Sequence, residues 1–272
     1  MNYYTAPMEG LTDRIWRQAH QRWFGAPGAP ARYYAPFLSP PENRVLIKKK
    51  MAELDPAANP GAPVIPQLLA KDGALAAWMV TELRRLGYTE VNLNFGCPSG
   101  TVTAKHKGAG LLAYPEELER CLDEIFGALP EMRVSIKTRI GKNDPAEWPR
   151  LLDIYARYPV AELIVHPRLQ KEFYRGAVHR DAFDAALAQR QDVPVYNGDL
   201  FTAADVAAFC RQYPQVDAVM VGRGLIADPA LGRRLRGGAP ASRQELTAFH
   251  DRLLADYRQR LSGDTPVLHR MR

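Results

Sequence analysis

The run Asn94-Phe95-Gly96-Cys97-Pro98-Ser99 sets a thiol between a glycine and a proline, directly after an apolar stretch. A cysteine flanked in this way is poorly placed for core packing and well placed to present its sulfur. The plainer reading, a buried small hydrophobe, suits Cys121 and Cys210, which fall inside helical patterns. Lys137 sits within the otherwise apolar run Val134-Ser135-Ile136, where an inward ammonium needs an anionic partner and an outward one reaches solvent. His166 follows Leu163-Ile164-Val165 and is either a satisfied structural histidine or a ring presented at the end of a strand. The other histidines have no metal-ligand spacing, there is no H-E-x-x-H, and Cys97 with His106 is weak support for a nucleophilic pair.

Gly222-Arg223-Gly224-Leu225-Ile226-Ala227 satisfies the dinucleotide pattern G-x-G-x-x-A after an apolar run, but no further strand with an acidic ribose ligand follows it. What survives is glycine amides at a helix start with Arg223 adding charge, which is an anion site. Asn197-Gly198-Asp199 ends the run before it. A hairpin turn is the alternative there, but a helix-like stretch follows.

The elements that must position these residues are short. Strands are predicted over Tyr3–Ala6, Arg32–Ala35, Val64–Leu68, Glu90–Asn94, Arg133–Thr138, Glu162–Val165, Val193–Tyr196 and Asp217–Val221, several of them continuous apolar runs that suit parallel strands buried on both faces. Helical patterns lie between them over Gly73–Leu86, Pro115–Leu129, Pro149–Tyr158, Asp181–Gln189 and Ala203–Tyr213. Pro115 followed by Glu116 and Glu117 is a good helix start. Gly25–Ala31 reads as a loop.

This alternation predicts an α/β protein, either a (β/α)8 TIM barrel or a doubly wound sheet. The strand ends separate the two, because barrels assemble their sites from many strand C-termini and open sheets from one switch point. Here polar or reactive clusters end most of the runs, and the two glycine loops fall where barrels commonly bind phosphate. The barrel is expected over residues 1–235. Residues 236–272 form a short, partial C-terminal helical segment rich in arginine: Arg243, Arg252, Arg258, Arg260, Arg270 and Arg272.

The chain has 272 residues, 36 Lys and Arg against 30 Asp and Glu, and a formal net charge of +6. At 46% hydrophobic and 24% charged residues it is neither disordered nor fibrous. No run is long enough for a membrane span, the start has no secretory pattern, and three cysteines without C-x-x-C spacing make a reducing cytoplasm the default. The basic excess permits a nucleic-acid partner without requiring one. A monomer without a metal is expected.

Ala6-Pro7-Met8-Glu9-Gly10, Asn94-Phe95-Gly96-Cys97-Pro98-Ser99, Lys137-Thr138-Arg139, His166-Pro167-Arg168, Asn197-Gly198-Asp199 and Gly222-Arg223-Gly224, in that order, resemble the tRNA-dihydrouridine synthase family. The first two runs together carry most of the specificity. The resemblance implies a flavin-dependent (β/α)8 barrel with a helical C-terminal domain that grips tRNA, reducing the C5–C6 bond of uridine with FMN, which NADPH recharges. Residue by residue, it implies that Pro7 and Met8 lie against the flavin ring and that Gln67 bonds its edge. It puts Lys137 beside the N1–O2 side of the ring, with His166 close by. Asn197, Gly198, Asp199, Gly222 and Arg223 would hold the ribityl chain and phosphate. Cys97 would be the general acid that protonates C5, Asn94, Lys137 and His166 would surround the uracil, and Arg168 and Arg175 would meet tRNA phosphates. The tail is shorter than the family's helical domain, and the loop Ala104-Lys105-His106-Lys107-Gly108 is more basic than in many members.

Three other readings remain open at this point. They are a flavin barrel acting on a free pyrimidine, of the dihydroorotate dehydrogenase kind, a non-catalytic RNA-binding barrel, and a Schiff-base aldolase using Lys137.

Overall fold

Pro66 lies where the barrel closes. The computed structural model describes residues 1–271 except Pro27 and Pro130, so the last of the tail arginines, Arg272, lies outside the described residues. Its strands are β1 (Asn2–Thr5), β2 (Arg32–Tyr34), β3 (Val64–Ile65), β4 (Gln67–Leu68), β5 (Glu90–Phe95), β6 (Arg133–Arg139), β7 (Glu162–His166), β8 (Val195–Tyr196) and β9 (Ala218–Val221). They are all parallel, in the order β3-β2-β1-β9-β8-β7-β6-β5-β4. The two ends of that order, β3 and β4, are neighbours in the chain separated only by Pro66, so the sheet closes on itself as an eight-stranded barrel. Proline has no N–H for the ladder, and its carbonyl accepts from the Asn92 N–H at 2.8 Å. The strand expected as one piece over Val64–Leu68 is therefore two stubs, one paired to β2 and the other to β5.

The two-residue period of the strands sorts their side chains. In β5, Glu90, Asn92 and Asn94 share a face with Ser135, Lys137 and Arg139 of β6 and with Glu162, Ile164 and His166 of β7, in matched register. This face points into the barrel, where Ile164 packs with Tyr4, Tyr34, Val195 and Met220. At the N-terminal end of the interior, Tyr4 and Tyr34 donate to Glu162 at 2.8 and 2.9 Å, and Arg32 pairs with both Glu90 and Glu162. The opposite face of each strand packs outward on the helices, as Phe95 does on Tyr155.

The longer helices are α1 (Arg14–Phe24), α2 (Gly73–Arg85), α3 (Pro115–Ala128), α4 (Trp148–Ala156), α5 (Arg180–Gln189), α6 (Ala203–Gln212), α7 (Arg243–Arg260) and α8 (Asp264–Met271). α2 to α6 fall where the pattern puts them, and α3 opens on Pro115 with Glu116 and Glu117 in its first turn. α1 has no counterpart in the apolar pattern, because its buried face carries Arg17 and His20 among Ile15, Trp16, Ala19 and Phe24. The two terminal nitrogens of Arg17 donate to the carbonyls of Thr12 and Glu53 and to the Asn59 amide oxygen. His20 lies between Tyr33 Oη at 2.7 Å and the Pro229 carbonyl at 3.0 Å, and burial pushes its pKa down to about 4, so the ring is neutral.

The tail packs on the barrel. α7 is capped by Ser242 and Glu245, buries Phe249, Leu253 and Tyr257, and sets Phe249 edge-on against Phe24 of α1 at 5.3 Å. Tyr257 donates to Asp13, the residue that also caps α1. Among the described residues no helix is long and apolar enough to cross a membrane.

Candidate active site

A cavity of about 490 Å³ opens at the C-terminal ends of the strands. It is lined by the Ala6–Glu9 loop after β1, by Asn94 near the end of β5 with Gly96 and Cys97 after it, and by Lys137 and Arg139 at the end of β6. His166, Asn197, Asp199, Met220, Gly222 and Arg223 complete its wall from β7 to β9. Of the residues predicted from sequence, Pro7, Met8, Asn94, Cys97, Lys137, His166, Asn197, Asp199, Gly222 and Arg223 therefore meet in one place.

A chain of buried amides sets the position of the Cys97 turn. Asn92 donates to Ser135 Oγ at 3.0 Å, Gln67 donates to Asn92 at 2.7 Å, and Asn94 donates to Gln67 at 2.7 Å. Asn94 Oδ1 in turn accepts from the Gly96 and Cys97 N–H groups at 3.0 and 2.9 Å. Gln67, expected at the edge of a flavin, lies instead one layer below the cavity, fully buried, with its amide oxygen and nitrogen both engaged. The first loop is fixed by Thr12, whose hydroxyl accepts from the Met8 N–H at 2.9 Å, and by Gly10 at φ 81°.

Arg168, expected on tRNA phosphates, is corrected by its surroundings. It is 1% exposed, forms a two-point ion pair with Asp199 at 2.9 and 2.5 Å, and donates to the carbonyls of Arg175 and Gly176. Arg175 does lie on the surface. Gly198 is absent from the cavity lining; a Cβ there would stand 2.9 Å from Tyr196 Oη. Asp199 also accepts from Arg223 at 2.9 Å, and the hydrogen bond from Arg168 holds its carboxyl below the usual range.

Three basic side chains, Lys137, Arg139 and Arg223, share the cavity wall with the carboxylates of Glu9 and Asp199. Burial, then the neighbouring Arg139, pushes the Lys137 ammonium down to about 7, and no carboxylate pairs with it among the described residues. Burial raises the Cys97 thiol, with the Ser99 backbone, Arg139 and Lys137 opposing, so the sulfur keeps its proton at neutral pH. His166 is held well below its ordinary value by burial and by Arg139, Lys137, Arg168 and Arg223. Arg168 lies 3.3 Å from His166 Nε2. An arginine N–H can only donate, so Nε2 accepts and the ring proton sits on Nδ1.

The residues that sequence reasoning missed are on loops or hold them. Arg139, the last residue of β6, ties two of these loops together, donating to Gly96 O at 2.9 Å after β5 and to Leu169 O at 2.9 Å and Phe173 O at 2.7 Å after β7. Phe173, Tyr174 and Phe201 add an aromatic wall that no periodicity announces.

Comparison with known proteins bears on this geometry. The model of the family described as "Dihydrouridine synthase (Dus)" matches residues 4–257. The chain belongs to the dihydrouridine synthase family. Its relatives include proteins named tRNA-dihydrouridine(16) synthase from Cupriavidus necator, 33% identical over 89% of this chain and 76% of that one, and from Ralstonia nicotianae, 31% identical over 97% and 82%. A third, from Pseudomonas putida, is 30% identical over 93% of this chain and 79% of its own. In fold the chain is similar to the old yellow enzyme homologue from Zymomonas mobilis, with TM-score 0.56 and 9% identity over 89% of this chain and 90% of that one. It is similar also to a 3-hexulose-6-phosphate synthase, with TM-score 0.54 and 14% identity over 87% and 99%. At such identities these two likenesses speak for the barrel alone.

Proposed function

We propose that this synthase reduces a uridine of tRNA to 5,6-dihydrouridine, with FMN as resident cofactor, NADPH as reductant and position 16 as the target. The observation that carries the reading is the position of Cys97 on the cavity wall with Lys137 and His166, in a turn whose backbone N–H groups Asn94 holds. Family membership and the names of the relatives support the rest.

The residues present fit a flavin mononucleotide. Gly222 is a cradle, since a Cβ there would come 3.3 Å from both Ala6 Cβ and Met8 Sδ. The Lys137 ammonium faces the cavity without a carboxylate, as suits the electron-rich edge of a flavin. Pro7 and Met8 would lie against the ring, Lys137 and His166 at its polar edge, and Asn197, Asp199, Gly222 and Arg223 along the ribityl phosphate. When bound, FMN supplies the hydride.

Cys97 holds the proton that completes the reduction at C5. Asn94 keeps the thiol's turn in place, and Lys137 and His166 face the same space. A uridine in folded tRNA must leave its stack to reach this cavity. Arg175 and the tail arginines Arg243 and Arg258, all exposed, would meet phosphates, with residues 1–235 as the catalytic barrel and 236–272 as part of the RNA surface.

The test is a strain lacking its position-16 synthase, complemented with this chain. The reading expects dihydrouridine to return at position 16 and the purified protein to be yellow and to release FMN. Release of FAD, or tRNA left unmodified, would overturn it.

A further inference from the structure

Residues Glu172–Arg175 form a tight turn, closed by the Arg175 N–H donating to the Glu172 carbonyl at 2.9 Å. Phe173 is the second residue of that turn, with φ 53° and ψ −99°. This is the first central position of a type II′ turn, which glycine normally fills. Glycine would meet the backbone requirement without strain, so folding gives no reason for an aromatic ring there.

The ring is also unspent. It is 44% exposed, lies on the cavity wall, and has no ring or cation partner among the described residues. Its neighbour Tyr174 is engaged by Arg139 at 5.3 Å, Arg223 at 5.0 Å and His166 at 6.0 Å. The strained turn is held from outside, by Arg139 on the Phe173 carbonyl and by Glu172, which accepts from the Leu169 N–H at 2.7 Å and lies 2.8 Å from His179. Exposed cations, Lys171 and Arg175, flank the pair of aromatics.

A fixed, open aromatic face between two cations is what a single-stranded nucleic acid uses, base on ring and phosphates on the charges. The geometry points to Phe173 as the stacking platform for a nucleobase adjacent to the reacting uridine. Swinging that uridine toward Cys97 leaves its neighbour with one face unstacked, and the Phe173 ring at the rim replaces the missing partner. The inference rests on the proposed tRNA substrate.

The experiment compares the full-length holoenzyme with Phe173→Gly and Phe173→Trp. The probe is an unmodified tRNA transcript carrying 2-aminopurine beside the target uridine. Phe173→Gly relieves the turn, so it should keep its flavin and melt no lower than wild type. It should bind the transcript about 5- to 150-fold more weakly, the range set by unstacking one base, and lose the 2-aminopurine quenching. Phe173→Trp should restore both. Affinity within twofold of wild type with quenching retained, or a lowered melting temperature with loss of flavin, would overturn the platform. A wild type that quenches but forms no dihydrouridine removes the functional reading and leaves the platform standing. A wild type that forms dihydrouridine while Phe173→Gly binds equally well removes the platform alone.

Discussion

Lys137 shows how a residue legible in the sequence can differ in its surroundings. An ammonium inside an apolar strand calls for an anion from the protein. The structure gives it instead Arg139, Cys97 and the cavity. Its pKa falls to about 7 because burial disfavours the charge. Below pH 7 the lysine is charged in folded and unfolded chains alike, so the folded state carries the whole cost. As pH rises from 7 toward the unfolded value, the folded chain sheds a proton that the unfolded chain keeps, and the cost is relieved. Lys137→Met should therefore raise the melting temperature of flavin-free protein by several degrees at pH 6, at about 2–4 °C per kcal/mol for a chain of this size. The gain should be smaller at pH 10, and flavin retention should weaken. Calorimetry at the two pH values checks this, and equal shifts would mean that the ammonium already reaches water. Cys97 and His166 were readable for the same reason as Lys137, since each breaks an apolar run at a strand end. Gln67 and Arg168 carried the right chemistry, yet their side chains are consumed by Asn92, Asn94 and Asp199. Only the packing of several strand ends decides that, and a linear pattern does not contain it.

At the scale of elements, buried strands announce themselves by continuous apolar runs, which is why their bounds were legible to within a residue or two. α1 did not, because two polar residues occupy its buried face and find partners far along the chain, at Asn59 and Pro229. α1 is also the seat of the tail. Removing the tail would uncover the face of α1 on which Phe249 packs at Phe24 and strip a partner from Asp13, so deletion tests folding before it tests RNA. Phe249→Ala should cost about 3 kcal/mol or more, as large-to-small core changes do, measured by urea unfolding. A cost below about 1 kcal/mol would mean that α7 is only loosely seated. Arginine replacements are the sharper probe of RNA binding. Arg260 is tied to Glu53 and Arg252 to Asp256, whereas Arg243 and Arg258 are exposed with no acidic partner among the described residues. Arg243→Ala with Arg258→Ala should flatten the slope of log affinity for tRNA against log salt by roughly 0.7–0.9 for each phosphate that the tail then fails to neutralise. An unchanged slope would assign the tail to folding alone.

For the whole molecule, the closed sheet is the device that makes the site. Parallel strands bring every C-terminus to one rim, so that a thiol after β5, a lysine from β6, an imidazole from β7 and the loops after β8 and β9 surround one cavity. The modest excess of charge, +6, matters less than its placement, because Lys137, Arg139 and Arg223 line that cavity with Glu9 and Asp199, and Arg168 is buried behind Asp199. The central claim is that Cys97 is the proton donor to the uridine and takes no part in recharging the cofactor. Rapid mixing separates the two half-reactions for wild type and Cys97→Ala. Reduction by NADPH should proceed at near wild-type rates in both. Oxidation of the reduced protein by unmodified tRNA, read with dihydrouridine formation, should slow by about 10²–10⁴-fold in Cys97→Ala, the usual contribution of a general acid. A loss below about tenfold in that step, or a variant that NADPH cannot reduce, would contradict the account.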